Sequence, residues 1–336
     1  MPDAFIAGLP KAELHVHLIG AASPDTVAGL AARYQTSVPE DPRLLSEYFT
    51  FRDLSHFTEV YLAVADLVRT ADDLWSMTYG VARDLAGQNV RYAEVTLTPY
   101  TSVERGIAGE AFCETVEDAR LAAARDFGIA LRWCFDVPGE FGVIAAESTL
   151  ALARTCRPDG LVRFGLGGPE EGVPRAQFGP YFRQARAEGL YSTPHAGEVT
   201  GAQAVWDAVR CLNADRIGHG IGAAADRELM EYLSGQEIAL EICPTSNLCT
   251  GAVASPETHP LSVLLASGVR VSVNSDDPAM FSTTLNDEYA LAARILNLDY
   301  AGVADLARWA VRDAFIDNAF RRELIAQIDE YTRSWS

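Results

Sequence analysis

Lysine is nearly missing from this chain of 336 residues. Lys11 is the one lysine, the arginines are scattered, and the formal net charge is −19. Contacts to nucleic-acid phosphates need clustered cations, so this composition argues against a nucleic acid as partner. A small, neutral or weakly charged substrate fits the charge balance better.

Long apolar runs and secretory features are also missing. No uninterrupted apolar run approaches the roughly 18 residues that a membrane span needs. The N-terminus has no basic region followed by an apolar one, as a secretory signal would. We therefore expect a cytoplasmic protein that does not associate with membranes. Hydrophobic residues at 49% and charged residues at 22% are typical of a globular chain.

The six cysteines form no C-x-x-C pair, which argues against a disulfide framework and against a thiolate zinc site. We expect buried, reduced thiols. Neither a G-x-G-x-x-G pattern after the first strand nor a P-loop lysine is present, so the fingerprints of the nucleotide-binding folds are missing as well.

The chain from residue 89 onward alternates between two kinds of segment. Short β-branched or apolar runs occupy residues 90–98, 129–137, 161–166, 189–195, 216–220, 238–243 and 269–274. Amphipathic segments of helical length occupy residues 110–127, 142–154, 178–188, 202–212, 226–235 and 260–267. With the strand that opens the chain this makes eight strands. Strict alternation predicts parallel strands, and eight of them predict an α/β fold, a single (β/α)₈ TIM-type barrel rather than an open doubly wound sheet.

A long segment interrupts this alternation after the first strand. Residues 44–88 have a helical pattern throughout, which is far longer than an ordinary strand-to-helix loop. Its apolar face carries Phe57, Val60, Tyr61, Val64, Leu67 and Val68. We expect a helical insert that acts as a lid. Residues 286–336 are predicted to be extra C-terminal helices, and residues 1–336 to form one domain.

The first strand carries two histidines. The segment from Glu13 to Leu18 alternates polar and apolar residues, so His15 and His17 lie on the same face of a strand. Alone, the pair is either half of a metal site or an ordinary polar strand face.

Three further strands are followed by polar residues: His195 and Glu198 after the fifth, His219 after the sixth, and Asp276 with Asp277 after the eighth. The C-terminal ends of barrel strands meet at one rim, which is the rim that carries active sites. Imidazoles and carboxylates without thiolates suit zinc or a similar divalent ion. We read the other two histidines, His56 and His259, as structural.

Six blocks, in this order, resemble the adenosine deaminase family of the metal-dependent amidohydrolases over nearly the whole chain. The matching blocks are LPKAELHVHLIGA at the start, GLGGPE at 165–170, HAGE at 195–198, RIGHG at 216–220, ICPTSN at 242–247 and NSDDP at 274–278. The resemblance implies a deaminase that replaces the 6-amino group of an adenine nucleoside with oxygen and releases ammonia.

The resemblance also implies roles for individual residues. One zinc ion per chain would be held by His15, His17, His195 and Asp276. Glu198 would protonate the purine N1, and a zinc-activated water oriented by His219 and Asp276 would attack C6. Further contacts to the purine would come from Asp277 at N7, from the backbone N–H of Gly168 at N3, and from an apolar lid of Leu54, Phe57 and Tyr61. Core packing of the insert explains the three lid residues equally well.

One position departs from the family pattern. Two residues after the second histidine, adenosine deaminases of the usual kind have Asp and adenine deaminases have Glu, but this chain has Ile19. An apolar side chain leaves a 5′-hydroxyl unpaired, at a cost of roughly 1–3 kcal/mol. We therefore expect an adenosine derivative substituted at the 5′ carbon, such as 6-amino-6-deoxyfutalosine of menaquinone biosynthesis. Arg52 and Arg69 are candidates for binding its carboxylate.

Other functions stay open from the sequence alone. These are an ordinary adenosine deaminase, a 5′-methylthioadenosine or S-adenosylhomocysteine deaminase, an amidohydrolase acting on a non-purine amide or ester, and a non-catalytic relative that binds purines. Glu198 and the GLGGPE block argue against the amidohydrolase, and the complete set of ligand and acid residues argues against the non-catalytic relative. The sequence does not determine the oligomeric state.

Overall fold

Eight parallel strands form the centre of the protein in a computed structural model, which describes residues 3–52 and 54–335, with the backbone alone at residues 54 and 55. The strands are β1 (Lys11–His17), β2 (Val90–Leu97), β3 (Ala130–Pro138), β4 (Leu161–Gly167), β5 (Tyr191–Ala196), β6 (Arg216–His219), β7 (Ala239–Ile242) and β8 (Val271–Val273). They are hydrogen-bonded in sequence order from β1 to β8. The predicted (β/α)₈ barrel is confirmed.

The barrel closes between its last and first strands through a short contact. Val16 and Asp276 form a single parallel bridge. The backbone N–H of His17 donates to the carbonyl of Asp276 and the N–H of Asp276 donates to the carbonyl of His15, both at 2.9 Å. Closure therefore occurs at the residues that the sequence predicts for the site.

Sixteen α-helices accompany the strands in the described part of the chain. They are α1 (Asp3–Gly8), α2 (Pro24–Ala31), α3 (Pro42–Tyr48), α4 (Leu54–Ala65), α5 (Ala71–Gly87), α6 (Pro99–Glu104), α7 (Gly109–Phe127), α8 (Gly142–Thr155), α9 (Gly179–Ala187), α10 (Ala202–Leu212), α11 (Arg227–Gly235), α12 (Pro244–Cys249), α13 (Leu261–Ala266), α14 (Leu285–Leu296), α15 (Tyr300–Asp313) and α16 (Asn318–Arg333). Short 3₁₀ helices lie at Gly139–Phe141, Arg175–Phe178, Ile221–Ala225 and Pro256–Thr258. The helices α14 to α16 agree with the predicted C-terminal helices.

The insert after β1 is helical, but it is divided into α3, α4 and α5 rather than continuous. The break before α5 has a local cause: the Thr70 side chain accepts the backbone N–H of Asp73, and the Asp73 carboxylate accepts the N–H of Thr70. This capping box fixes the N-terminus of α5, so α4 and α5 are separate helices. Val60 and Val64 on α4, and Leu67 after it, are buried as the helical pattern predicts.

None of the described helices is both long and apolar enough to cross a membrane. The cytoplasmic location and the single domain over residues 1–336 stay predictions.

Candidate active site

His15 lies at the centre of the C-terminal rim and is fixed from inside the barrel. The strand alternation places it beside His17, with 5.4 Å between the two ring centroids. Its Nδ1 is 2.8 Å from Glu241 Oε2 on β7. Glu241 in turn accepts hydrogen bonds from Arg163 at 3.2 Å and Arg216 at 2.8 Å. A carboxylate held by two guanidiniums remains charged, so it accepts the Nδ1 proton of His15 and leaves Nε2 facing the rim.

His195, at the end of β5, points its Nε2 at the same place. Its Nδ1 is 3.0 Å from the carbonyl oxygen of Leu166 on β4, which can only accept, so the proton is on Nδ1. The Nε2 atoms of His195 and His17 are 3.2 Å apart. Two imidazole nitrogens therefore converge from opposite sides of the rim.

Asp276 completes the group. Its Oδ1 is 3.4 Å from Nε2 of both His15 and His17. Its backbone has a φ of 64°, in the left-handed region that non-glycine residues seldom adopt. The two backbone hydrogen bonds to β1 hold it there, and such backbone strain is common at functional sites.

His219 also has a positive φ, of 58°, and lies on the other side of the Asp276 carboxylate. Its Nε2 is 3.8 Å from Asp276 Oδ2 and 3.6 Å from Glu198 Oε2. A chain of three hydrogen bonds connects α13 to this ring. The backbone N–H of Leu261 donates to His259 Nδ1, and His259 Nε2 donates to Asn247 Oδ1. Asn247 Nδ2 then donates to His219 Nδ1. This direction of donation leaves the His219 proton on Nε2, facing the two carboxylates.

Glu198 lies in the loop after β5, and a second glutamate shapes that loop. The carboxylate of Glu170, from the GLGGPE block, accepts the backbone N–H groups of Glu198, Val199 and Thr200. The Glu198 side chain itself accepts a hydrogen bond from Thr250 at 3.1 Å. The block after β4 therefore positions the carboxylate that the sequence predicts as the proton donor.

The donor set fits a metal ion. One ligand atom from each of His15, His195, His219 and Asp276 lies within 4.8 Å of the others. The Nε2 of His15 is buried and has no hydrogen-bond partner among the described residues. A buried nitrogen that faces other lone pairs is what a cation would satisfy. His17 lies outside this set of four, although its Nε2 is close to His195 and Asp276.

Two of the imidazoles beside Asp276 are neutral, as imidazoles that bind a metal must be. Burial lowers the pKa of His17 to about 4 and the pKa of His195 well below its usual value, so both rings are neutral at pH 7. Burial also acts against a charge on His15, but its contacts with Asp276 and Glu241 outweigh burial and raise its pKa to about 10. For Asp276, burial is outweighed by His15 and its neighbours, which hold the pKa well below its usual range. A metal bound here would take the place of the proton on His15 Nε2, because imidazoles bind metals in the neutral form.

Asp277 faces the loop after β1. A Cβ on Gly20 would overlap its carboxylate, so the glycine is required there. The Asp277 Oδ1 is buried without a hydrogen-bond partner in the described part of the chain. Burial and the charge of Asp276 raise its pKa well above the usual range. Ile19, the neighbour of Gly20, is half-buried and packs against the core.

Two of the three predicted lid residues lie at this rim. Phe57 stacks on Phe281, which follows Asp277, with ring centroids 5.2 Å apart. The ring centroid of Tyr61, also on α4, is 5.9 Å from that of Phe57. Burial and the charges of Asp277, Asp136 and Asp276 raise the pKa of Tyr61 well above the usual value. The side chain of Leu54 lies outside the described residues.

The arginines proposed for a substrate carboxylate are not directed at the rim by their contacts. The Arg69 side chain donates to the carbonyl of Asp66 and stacks on Tyr34, which fixes it within the insert. Arg52 is exposed. Gly168, the predicted partner of N3, has a φ of 75° directly after β4.

Sequence reasoning missed four side chains that shape this site: Asp136, Glu170, Glu241 and Asn247. Asp136 and Glu241 lie within strands, Glu170 lies in the loop after β4, and Asn247 lies in α12. The quoted blocks contained Glu170 and Asn247 without revealing their contacts. For Asp136 and Glu241, the one available signal is a charged residue inside an otherwise apolar strand.

Comparisons with known proteins agree with this geometry. The family model described as adenosine deaminase matches residues 10–331. A protein from Streptomyces avermitilis named aminodeoxyfutalosine deaminase is 55% identical over 335 residues, which cover 99% of this chain and 94% of that protein.

Solved structures give the same result. The crystal structure of an adenine deaminase from Arthrobacter aurescens has a TM-score of 0.91 at 30% identity, covering 97% of this chain and 99% of that one. An amidohydrolase from Burkholderia ambifaria, solved with bound Zn, has a TM-score of 0.90 at 27% identity, covering 99% of this chain and 94% of that one.

Proposed function

The chain belongs to the adenosine deaminase family and is a hydrolytic deaminase; we propose that it uses one zinc ion and acts on an adenosine derivative substituted at the 5′ carbon. The proposed substrate is 6-amino-6-deoxyfutalosine, which places the enzyme in menaquinone biosynthesis. The choice of a 5′-substituted substrate rests on Ile19, because an isoleucine just after β1 offers no hydrogen bond to a 5′-hydroxyl. The identity of 55% to a protein named aminodeoxyfutalosine deaminase supports it.

The zinc ion is assigned to His15, His17, His195 and Asp276. Either His17 or His219 could complete the set by distance. We choose His17 because Asp276 turns the same oxygen, Oδ1, toward His15 and His17, whereas His219 faces Oδ2 and Glu198. When bound, zinc supplies the acidified water that hydrolysis at neutral pH requires.

Glu198 and His219 are assigned to the proton transfer and to the orientation of the oxygen that attacks C6. Glu198 protonates the purine N1, which makes C6 electrophilic, and its hydrogen bond from Thr250 keeps the carboxylate in place. His219 carries a proton on Nε2 between Glu198 and Asp276, where it orients the attacking oxygen. The purine is oriented by Asp277 at N7 and by the N–H of Gly168 at N3.

Phe57 and Tyr61 on α4 are assigned to the lid over the base. The stack of Phe57 on Phe281 joins α4 to the loop that carries Asp276 and Asp277. Leu54, the first residue of α4, is proposed as the third lid residue. A lid over the rim excludes bulk water from the reacting groups.

A deamination panel tests the proposed substrate. The purified zinc enzyme is assayed by kcat/KM with aminodeoxyfutalosine, 5′-methylthioadenosine, S-adenosylhomocysteine, adenosine and adenine. We expect aminodeoxyfutalosine to exceed adenosine by about 10-fold or more, the equivalent of one hydroxyl left unpaired. A clear preference for adenosine or adenine would contradict the argument from Ile19, and a preference for one of the two thioethers would replace the proposed substrate while keeping that argument.

A further inference from the structure

Asp136 is a buried carboxyl without a partner. It lies near the C-terminal end of β3 and is 4% exposed. Its Oδ1 is buried and has no hydrogen-bond partner in the described part of the chain. Most buried polar groups in proteins are hydrogen-bonded, so this exception requires an explanation, and a ligand that pairs with the oxygen is one.

The neighbouring strand makes room for this carboxyl. A Cβ on Gly165 would lie 2.7 Å from Asp136 Oδ1, and a Cβ on Gly167 would lie 2.6 Å from Oδ2. Both glycines lie on β4 and share one face of the sheet, since they are two residues apart, and Gly165 pairs with Asp136 in the strand register. The glycines of the GLGG sequence therefore form a slot for Asp136, and any side chain at either position would displace it.

β4, which carries the two glycines, pairs with β5, the strand of His195, and the charge of His15 acts on Asp136, so the slot lies next to the metal ligands on the β3–β4 side of the rim. Gly167, which contacts the carboxyl, directly precedes Gly168, the residue assigned to the purine N3. On the purine ring, only C4 separates N3 from N9, which carries the sugar. Burial raises the pKa of Tyr61 on α4, and the charges of Asp277, Asp136 and Asp276 act in the same direction. Asp136 is therefore beside the sugar of a nucleoside bound as proposed.

We propose that Asp136 binds one of the two ribose hydroxyls of the substrate, 2′ or 3′, and is a specificity-determining residue for nucleosides. The proposal rests on the proposed function, because it needs a substrate with a sugar. A hydroxyl both donates and accepts, so it pairs with this carboxyl in either protonation state. Since Ile19 provides no polar contact at the end of β1, Asp136 supplies one from β3.

Glu140, His15, Arg175 and Arg163 are the charged groups that act on this carboxyl. Burial and the charge of Glu140 raise the pKa of Asp136 to about 8, while His15, Arg175 and Arg163 act in the opposite direction. The Arg175 guanidinium donates to the carbonyl of Pro169 at 3.3 Å, while its Nε has no partner among the described residues. None of these residues forms a hydrogen bond with Asp136 Oδ1, which leaves this oxygen available to the substrate.

The test removes the carboxyl and the hydroxyl separately and together. The enzymes are the wild type, Asp136→Ala, Asp136→Asn and, as a matched control on the exposed face of α7, Asp118→Ala. The substrates are 5′-deoxyadenosine, 2′,5′-dideoxyadenosine and 3′,5′-dideoxyadenosine, which share the 5′ carbon and differ in one hydroxyl. Calorimetry with the three corresponding inosine products measures the same contact where turnover is slow.

We expect Asp136→Ala to lower kcat/KM, or product affinity, about 10-fold or more on 5′-deoxyadenosine or its product. On the analogue that lacks the contacted hydroxyl, the same variant should equal the wild type within a factor of two. Asp136→Asn, which still hydrogen-bonds, should retain most of the activity, and Asp118→Ala should change nothing.

An equal loss on all three substrates would show that Asp136 acts through the fold and would overturn the proposal. If the alanine variant does not fold, Asp136→Val, which is close in volume and cannot hydrogen-bond, takes its place. Failure of the proposed function is seen separately, as a wild-type preference for adenosine or adenine. A preference for free adenine over all nucleosides would overturn both proposals.

Discussion

Ile19 is the residue at which this site differs from the family pattern, and the structure places it at the rim. It is half-buried next to Gly20, whose backbone lies against Asp277. A side chain in this position is close enough to the predicted base contacts to affect which substituent the pocket accepts. The sequence identified residue 19 as the position that differs. The structure adds that its side chain is half-buried, so that a polar group of the substrate placed against it would lack a hydrogen-bond partner.

Restoring an acid at this position should change the substrate preference. We expect Ile19→Asp to raise kcat/KM for adenosine relative to aminodeoxyfutalosine by about 10-fold, because the carboxylate accepts the 5′-hydroxyl proton. The ratio is measured with both substrates in one assay series. Ile19→Leu is the control, which should keep the wild-type ratio; an unchanged ratio in Ile19→Asp would mean that residue 19 does not face the 5′ carbon.

The ligand and proton roles can be separated in three variants. We expect His17→Ala to lose zinc, whereas His219→Asn and Glu198→Gln keep it and lose kcat by about 100-fold or more, the usual effect of removing a proton-transfer group. Elemental analysis gives the metal content and steady-state kinetics gives kcat. Zinc kept in His17→Ala but lost in His219→Asn would exchange the two histidines in the proposed ligand set.

At the scale of single residues, the sequence predicted the histidines and aspartates at strand ends because the barrel brings such positions together. It could not predict Asp136 or Asn247, since their importance depends on contacts across strands. The two glycines of β4 show this best: they resemble part of a family block, while their spatial role is to make room for a carboxyl on β3.

At the scale of elements, the predicted strands agree with the structure to within two residues at each end. The short helices α1, α6 and α12 were not predicted, because six residues are too few to establish a helical period. The helix α13 is equally short and was predicted because it lies in the regular alternation, between β7 and β8. The insert was predicted to be continuous because its apolar pattern continues across the breaks, while the local capping at Thr70 decides where α5 begins.

Glu288 joins three elements at the rim. Its Oε2 accepts the N–H of Thr245 in α12 at 2.9 Å, and its Oε1 accepts the hydroxyl of Thr283, which precedes α14, at 2.6 Å. Burial raises its pKa from 4.5 to about 7. Between these values the unfolded chain has released the proton and the folded chain has kept it, so Glu288 makes the free energy of unfolding fall as pH rises.

Glu288→Gln should therefore change the pH dependence of stability. The variant lacks this titration, so its free energy of unfolding relative to the wild type should rise by up to about 3 kcal/mol between pH 5 and pH 8. Urea unfolding at four pH values gives the difference, with exposed Glu330→Gln on α16 as the control. A difference between variant and wild type that stays constant with pH would contradict the assignment.

At the scale of the whole molecule, the fold and the site depend on each other. The first and last strands meet through one bridge, at Val16 and Asp276, and the hydrogen bonds on both sides of it come from residues assigned to the metal. The proposed ligands come from β1, β5 and β8. A metal held by them would therefore link the two ends of the barrel to its middle.

Removing the metal should lower the stability of the whole barrel for this reason. A ligand that binds only the folded state adds RT ln(1 + [L]/Kd), which is about 2.7 kcal/mol at 100 times Kd. For a chain of this size we expect a chelator to lower Tm by several degrees and added zinc to restore it. Calorimetry with and without chelator measures this shift. His17→Ala should show no shift, because its ligand set is already incomplete, while Glu198→Gln should show the full one. An equal Tm for the zinc-loaded and metal-free wild type, with the metal content verified, would mean that barrel closure does not depend on the metal.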